Sequence, residues 1–351
     1  PPHHPPFTRS APIRSLQDVQ RLEARPLAEA LPVQSTYEIF VNAAAAFGDK
    51  TALSFLPTAD PADEPIRWSY AQLLTGIHQT ANLLHHLGVG PQDAVAVLLP
   101  GCLEYHLALW GGEAAGIVQP LNPMLTDEKI AAMMTLAGAK VLIAYGGEGD
   151  VGYWSKAVRL RALVPTLTTV LRVAPHDEAP GSAGPLPDGV VDLAERHQHP
   201  GDHLVSGRHI AATDIAAYFH TGGTTGAPKL AQHTQGNEAH TAWFAHAYYD
   251  VDEHAVEING FPLFHVAGAF VYGLALLAVG LRGHAFISQD QGMHWQQITL
   301  SKNATLNSAF SDDNGSVYLV GNAGTLLISR DGATSFTDYS QADGKAVVNG
   351  L

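Results

Sequence analysis

Over the first two thirds of the chain, apolar positions alternate between helical spacing and short unbroken runs. Ser35 and Glu38 stand at capping-box spacing ahead of Ile39, Phe40, Ala43 and Phe47, with Gly48 behind them, which predicts a helix. A strand over 51–56 follows. The same grammar returns with Ser69 and Gln72, then Leu73, Ile77, Leu84 and Leu87 on one face, closed by Gly88. Residues 94–99 read as a fully apolar strand, 104–115 as a helix and 117–120 as a strand. A helix over 127–137 is capped by Thr126 and stopped by Gly138, and 141–144 is another buried strand. Helices alternating with short apolar strands predict an α/β fold with mixed or parallel sheets covered by helices on both faces.

Three stretches break this rhythm. Residues 1–34 are rich in Pro and Arg without sustained periodicity and read as a surface arm. Between 173 and 208 Pro, Gly and His accumulate, which reads as a surface excursion; His197, His199 and His203 lack the Cys or carboxylate spacing of a metal site, so no metal ligands are assigned. The run 266–281 is apolar or small throughout but falls short of the roughly 20 residues that span a bilayer. A buried helix is expected there, and no membrane span.

Composition narrows the function. The chain has 351 residues, a formal net charge of −14 and only 19 Lys plus Arg, so a nucleic-acid surface, which needs clustered cations, is not expected. The single cysteine, Cys102, forms no intrachain disulfide and reads as a small buried hydrophobe, in keeping with a cytoplasmic protein. The start, P-P-H-H-P-P, shows no leader pattern.

The chemistry concentrates at 218–231, Y-F-H-T-G-G-T-T-G-A-P-K-L-A. Glycines let backbone N–H groups approach an anion, threonine hydroxyls add short donors, and one lysine adds a mobile positive charge, so the composition suits a phosphate cradle. It is not the common nucleotide loop, because Ala227 and Pro228 separate the Gly from the Lys. The run resembles the phosphate-binding loop of the adenylate-forming superfamily, whose acyl-CoA synthetases carry T-[SG]-G-T-T-G-x-P-K. Thr221, Gly222, Gly223, Thr224, Thr225, Gly226, Pro228 and Lys229 fall on it, while Leu230 stands where most members have Gly. W-S-Y-A-Q-L, L-G-V-G-P-Q-D-A-V-A-V-L-L-P and G-I-V-Q-P-L-N-P match in order as well, so the resemblance covers about residues 35–281. F-P-L-F-H-V-A-G at 261–268 resembles the superfamily's second core motif, which implies that Phe264 and His265 line the acyl pocket and its approach.

The resemblance implies ATP, Mg2+ and CoA as cofactors or co-substrates and a small carboxylic acid, such as a fatty acid, as substrate. An acyl-adenylate forms and the CoA thiol captures it. Thr221, Thr224, Thr225, the loop amides and Lys229 would hold the phosphates, with Lys229 as the catalytic cation.

After Arg282 short strands separated by Gly, Asp and Asn take over. G-H-A-F-I-S-Q-D-Q-G-M-H-W and G-T-L-L-I-S-R-D-G-A-T-S-F repeat, with Ile287 and Ile328, Asp290 and Asp331, Trp295 and Phe336 each 41 residues apart. S-x-D-x-G-x-x-W resembles the Asp-box hairpin of β-propellers, particularly the photosystem-assembly-factor-like group, which implies that 282–351 is a short all-β, propeller-blade-like fragment. Three parts are therefore expected: an arm over 1–34, a truncated AMP-binding domain over 35–281, and this fragment. The superfamily's aromatic-Gly-x-Thr-Glu motif, ribose-binding Asp and C-terminal catalytic Lys are not found after Gly280. The chain as written is expected to be a weak or inactive ligase. The alternative is a non-catalytic module that binds nucleotide or a protein partner through its β-rich C-terminal segment.

Overall fold

Five consecutive residues without solvent exposure, Ala94–Leu98, form the central strand of the molecule. The computed structural model describes residues 15–24, 33–56, 64–146, 152–176, 178, 185–221, 229–249, 262–266, 269, 277–279, 285–287, 296–298, 306–311, 316–321, 325–331 and 334–339. The chain divides into two units, one comprising Pro1–Phe55, Pro65–Phe244 and Leu263–Phe270, the other Leu56–Glu64, Ala245–Pro262 and Val271–Leu351.

In the first unit, helix α1 (Leu16–Glu23) lies within the expected arm, a two-turn element too short for periodicity to announce. Helix α2 (Thr36–Phe47) leads into the antiparallel pair β1 (Thr51–Phe55) and β2 (Ile66–Ser69). Ser35 Oγ accepts from Glu38 N at 3.2 Å, but Glu38 reaches back to Gln34 N at 2.6 Å, so this box closes one residue early. Phe47, expected on the buried face, is 40% exposed and packs against Tyr70 with Lys50 over its ring. Helix α3 (Tyr70–His86) carries the complete box: Gln72 N donates to Ser69 Oγ at 3.2 Å and Ser69 N to Gln72 Oε1 at 2.8 Å. It buries Leu73, Ile77 and Leu84, each contributing about 1.5–3 kcal/mol of transfer free energy.

The α/β alternation then runs β3 (Ala94–Leu98), α4 (Leu103–Ala115), β4 (Ile117–Pro120), α5 (Asp127–Ala137), β5 (Ala139–Tyr145), α6 (Tyr153–Leu163), β6 (Thr169–Val173), β7 (Val190–Asp192), β8 (Ile215–His220), β9 (Leu230–Thr234) and α7 (Gln235–Tyr249). Seven of these strands make one sheet in the order β7-β6-β5-β3-β4-β8-β9, parallel throughout except for the antiparallel β8–β9 pair. Strand alternation sorts the core into two layers: Val95 and Val97 join the cluster with α3 and α4, while Ala94, Ala96 and Leu98 join the one with α5 and α6. A bulge at Lys140 lets that side chain reach Gly88 O at 2.5 Å and Asp93 Oδ2 at 3.1 Å.

The stretch 173–208 holds more order than its composition suggests. Val190–Asp192 adds an edge strand to the sheet, and Leu193–Gln198 forms a 3₁₀ turn. Its anchor is Arg172, 2% exposed, which donates to Gly146 O and Asp192 Oδ2 and pairs with Glu178. Buried Asn82 then pins the turn beyond, donating to Pro200 O and His203 O at 2.8 Å and accepting from Val205 N at 2.9 Å. His197 and His203 are exposed, and among the described residues no group of three or more His, Cys, Asp or Glu is placed to hold a metal. Cys102, at the N-cap of α4, packs partly buried against the core, and burial pushes its thiol up to about 12. That inert state agrees with its reading as a small hydrophobe.

The second unit is antiparallel. Strands β10 (Leu277–Val279), β11 (Ala285–Ile287) and β12 (Gln296–Ile298) form one sheet, and β13 (Leu306–Ser311), β14 (Val317–Gly321), β15 (Thr325–Ser329) and β16 (Thr337–Asp338) form another. Of the helix expected over 266–281, Val266 and Ala269 are helical, but its far end is corrected here: 277–279 is a strand, paired through Leu277↔Ile287 and Val279↔Ala285. A short apolar run does not reveal its period, and pairing with β11 decides it. The 41-residue repeat is visible in the register. Leu277↔Ile287 and Ile287↔Gln296 in the first sheet recur as Tyr318↔Ile328 and Ile328↔Thr337 in the second. In the second copy Asp331 ties the turn, accepting from Ser329 Oγ, Ser335 N and Ser335 Oγ, which holds its carboxyl down at about 2. Asp290 and Trp295 lie outside the described residues.

Gly111 sets the approach of α4 to α3. A Cβ there would stand 2.8 Å from Thr80 Cβ and 3.2 Å from Ile77 O. Gly111→Ala is expected to cost about 1–3 kcal/mol through overpacking, read as a lower denaturation midpoint at unchanged m-value. An unchanged midpoint would show that the helices separate freely.

Candidate active site

Strand β8 carries Ala216, Ala217 and Phe219 into the core and delivers its carboxyl end to the Gly/Thr run. Its parallel neighbour is β4, through Val118↔Ala217, and its antiparallel partner β9 returns the chain through His220↔Leu230. One further bond closes the base of the connection: Thr221 N donates to Lys229 O at 3.1 Å. Thr221 and Lys229 are therefore held opposite each other, both exposed, at the carboxyl edge of a parallel sheet, the edge where open α/β sheets bind ligands. The expected positions Gly222, Gly223, Thr224, Thr225, Gly226 and Pro228 lie outside the described residues.

Two further groups meet this edge. Leu263 and Ala269 reach the same core as β8, buried in the cluster that contains Ala217 and Phe219, and Ala269 N donates to His265 O at 3.0 Å. Phe264 is half-buried and His265 exposed. Sequence reasoning missed His220, the last residue of β8. Its Nδ1 is buried without a hydrogen-bond partner among the described residues. Burial lowers its pKa, and the His265 charge lowers it further, so the two rings lie within electrostatic reach. The fold thus places His265 within electrostatic reach of the end of β8. Lone histidines in two distant stretches of sequence carry no signal for that meeting.

The described residues can do two things here. The exposed Lys229 and Thr221 offer a cation and a hydroxyl to an anionic ligand, and the lowered pKa of His220 favours a neutral imidazole at the end of β8.

The family model described as AMP-binding enzyme matches residues 40–302. The chain is 29% identical over 273 residues to the marinolic acid–CoA ligase of Pseudoalteromonas sp. (strain SANK 73390), covering 76% of this chain and 40% of that protein. It is also 29% identical over 262 residues to the long-chain-fatty-acid–CoA ligase of Bacillus subtilis (strain 168), covering 68% of this chain and 43% of that protein. Among solved structures, a putative long-chain-fatty-acid CoA ligase from Rhodopseudomonas palustris matches with a TM-score of 0.54 at 22% identity, covering 67% of this chain and 53% of that one. That likeness supports the fold. The chain spans about two fifths of the length of these two curated relatives.

The His220–His265 meeting is measurable. By NMR the His220 midpoint is expected below the ordinary 6.5, and it should rise in His265→Gln, because a neighbouring positive charge has been removed. With its folded pKa lowered, this group's contribution to stability is present above 6.5 and is lost as pH falls toward the folded midpoint. A midpoint that ignores His265→Gln would place the rings apart.

Proposed function

The chain belongs to the AMP-binding enzyme family, and from that premise we propose that it carries the nucleotide-binding part of an ATP-dependent carboxylate–CoA ligase acting on a fatty or related acid. The observation that supports this reading best is the Thr221–Lys229 closure, which holds the only lysine of the Gly/Thr run at the carboxyl edge of the parallel sheet. In the reaction, an oxygen of the acid attacks the α-phosphorus of ATP, the bond to the bridging oxygen breaks, and pyrophosphate leaves with the electron pair. The CoA sulfur then attacks the acyl carbon and AMP departs.

Charge grows on the leaving pyrophosphate. Lys229 and the Thr221 hydroxyl would meet it, joined by the amides of Gly222, Gly223 and Gly226 and the hydroxyls of Thr224 and Thr225. Donors fixed before the reaction lower the barrier without reorganising. Phe264 and His265 would border the approach of the acid. Among the described residues no group of three or more His, Cys, Asp or Glu is placed to hold Mg2+. A cytoplasmic setting, with Cys102 reduced, completes the reading.

ATP binding, followed as a thermal shift, is expected to weaken about tenfold or more in Lys229→Ala while the far-UV spectrum stays unchanged. Carboxylate-dependent exchange of labelled pyrophosphate into ATP, measured beside it, reports the chemical step. A folded chain that binds ATP equally well with and without the Lys229 ammonium would sink the assignment.

A second reading, a blade-like repeat that recruits a protein partner, is favoured by the recurrence of the same three-strand register 41 residues later. It predicts a specific complex that disappears when residues 282–351 are deleted. Deletion that only improves solubility refutes it.

A further inference from the structure

Behind the β8–β9 hairpin, carboxyl groups from two helices meet out of reach of solvent. Glu113 of α4 and Glu238 of α7 are each 1% exposed. Their surroundings contain too few hydrogens. Thr36 Oγ1 lies 2.6 Å from Glu113 Oε2 and 2.9 Å from Gln235 Oε1, and Gln235 Oε1 also accepts from Thr36 N at 3.1 Å. A hydroxyl has one hydrogen, so it cannot donate to both oxygens. The contacts are satisfied together when Glu113 is protonated and donates to Thr36, which then donates onward to Gln235. Glu113 Oε1 and both oxygens of Glu238 have no hydrogen-bond donor among the described residues. His233 Nδ1 on β9 stands 3.6 Å from Glu238 Oε1, within ion-pair distance but beyond hydrogen-bond length. Two ionised carboxylates in such a site would leave several buried acceptors empty, at a cost that Thr36 and His233 offset only in part.

This pair is wired to the hairpin. Glu238 and Gln235 open α7, which follows β9 without a break, and the His233 ring packs against Phe219 of β8, tilted by 36° with centroids 5.1 Å apart. Gln235 N donates to Asp214 O and Gly236 N to Ala212 O, both at 2.9 Å, just ahead of β8. Arg208 completes the ring, donating to Glu113 O at 3.1 Å and pairing with Asp214 at 3.2 Å. The groups that face the pair are thus Thr36 from α2, Gln235 from α7 itself and His233 from β9, with the Arg208–Asp214 pair on the backbone side of Glu113.

We propose that Glu113 and Glu238 retain a proton between them and act as positioning residues, a clamp that fixes α7 and β9 behind the Gly/Thr connection and loosens the β8–β9 hairpin as pH rises. The clamp needs only the hairpin geometry, so it stands apart from the nucleotide-binding reading. Electrostatics run the same way. Burial, then the Glu238 charge, raises Glu113 well above the usual carboxylate range, while Thr36 and His233 pull it partly back. Burial raises Glu238 to about 8. For acids raised in the folded state, the stabilisation is complete below the ordinary 4.5 and is lost as pH climbs through about 8.

Hydrogen exchange of the β8 and β9 amides in the full chain without ligand, corrected for intrinsic rates, tests this. Between about pH 6 and about pH 8.5 the protection of these amides is expected to fall about tenfold or more, with β5 amides as the internal reference. Glu238→Gln mimics the protonated carboxyl and should flatten that response to less than about twofold, whereas Glu238→Ala should lose protection at both pH values. Should Glu238→Gln fail to fold, Glu113→Gln makes the same test from the other helix. An identical pH response in the parent and the Gln variant, or none in the parent, overturns the proposal.

Discussion

A strand with no exposed residue on either face has to be covered twice, and that requirement organises the first unit. β3 sits between β5 and β4, and its alternating Val and Ala–Leu side chains demand one apolar layer above and another below. The α3–α4 layer meets the first demand and the α5–α6 layer the second. Parallel strands also need long returns, which is why β3, β4 and β5 are each followed by a helix rather than a turn. Close covering forces small residues where helices meet, as at Gly76 and Gly111.

The same covering makes every buried polar group depend on a partner. Arg172 and Asn82 enter the interior with their acceptors supplied by segments that carry little secondary structure, so the polar residues fix the loops rather than the reverse. Glu113 is the case in which neighbours do not complete the set, and the missing hydrogen is a proton. A site at the sheet's carboxyl edge therefore rests on a hairpin whose rear support titrates while its front carries the exposed Lys229. Lys229 precedes β9 and Glu238 follows it, so the two lie at opposite ends of that strand.

Much of this was legible beforehand where local rules and the tertiary environment agree. The Ser69–Gln72 box, the Thr126 cap, the Gly138 stop at φ 66° and the apolar strands around 94–99 and 141–144 all appear as expected, because capping and burial act within a few residues. The Gly/Thr run pointed to its own strand and to the family. What sequence could not give was anything decided by contacts between distant residues. Val190–Asp192 is a strand only because β6 offers it an edge, and 277–279 is a strand only because β11 lies beside it. His220 and Glu113 carry no local pattern at all; each acquires meaning from a residue tens of positions away.

The second unit reverses that relation, since its repeat was legible as spacing before any pairing was known. A 41-residue offset that preserves residue type is also one that preserves register, with Ile287 and Ile328 each sitting between two antiparallel partners at the same steps. Register is held by side chains that must share a face, so a one-residue slip would turn the buried Leu319 and Leu327 outward together. Conserved spacing between copies is thus a consequence of pleat geometry and needs no shared ligand or active site to maintain it. The family match runs through residue 302 and includes the whole first three-stranded sheet, so the repeat and the family span overlap in the chain. A structural repeat and a family boundary answer to different constraints: one to the pairing of neighbouring strands, the other to descent.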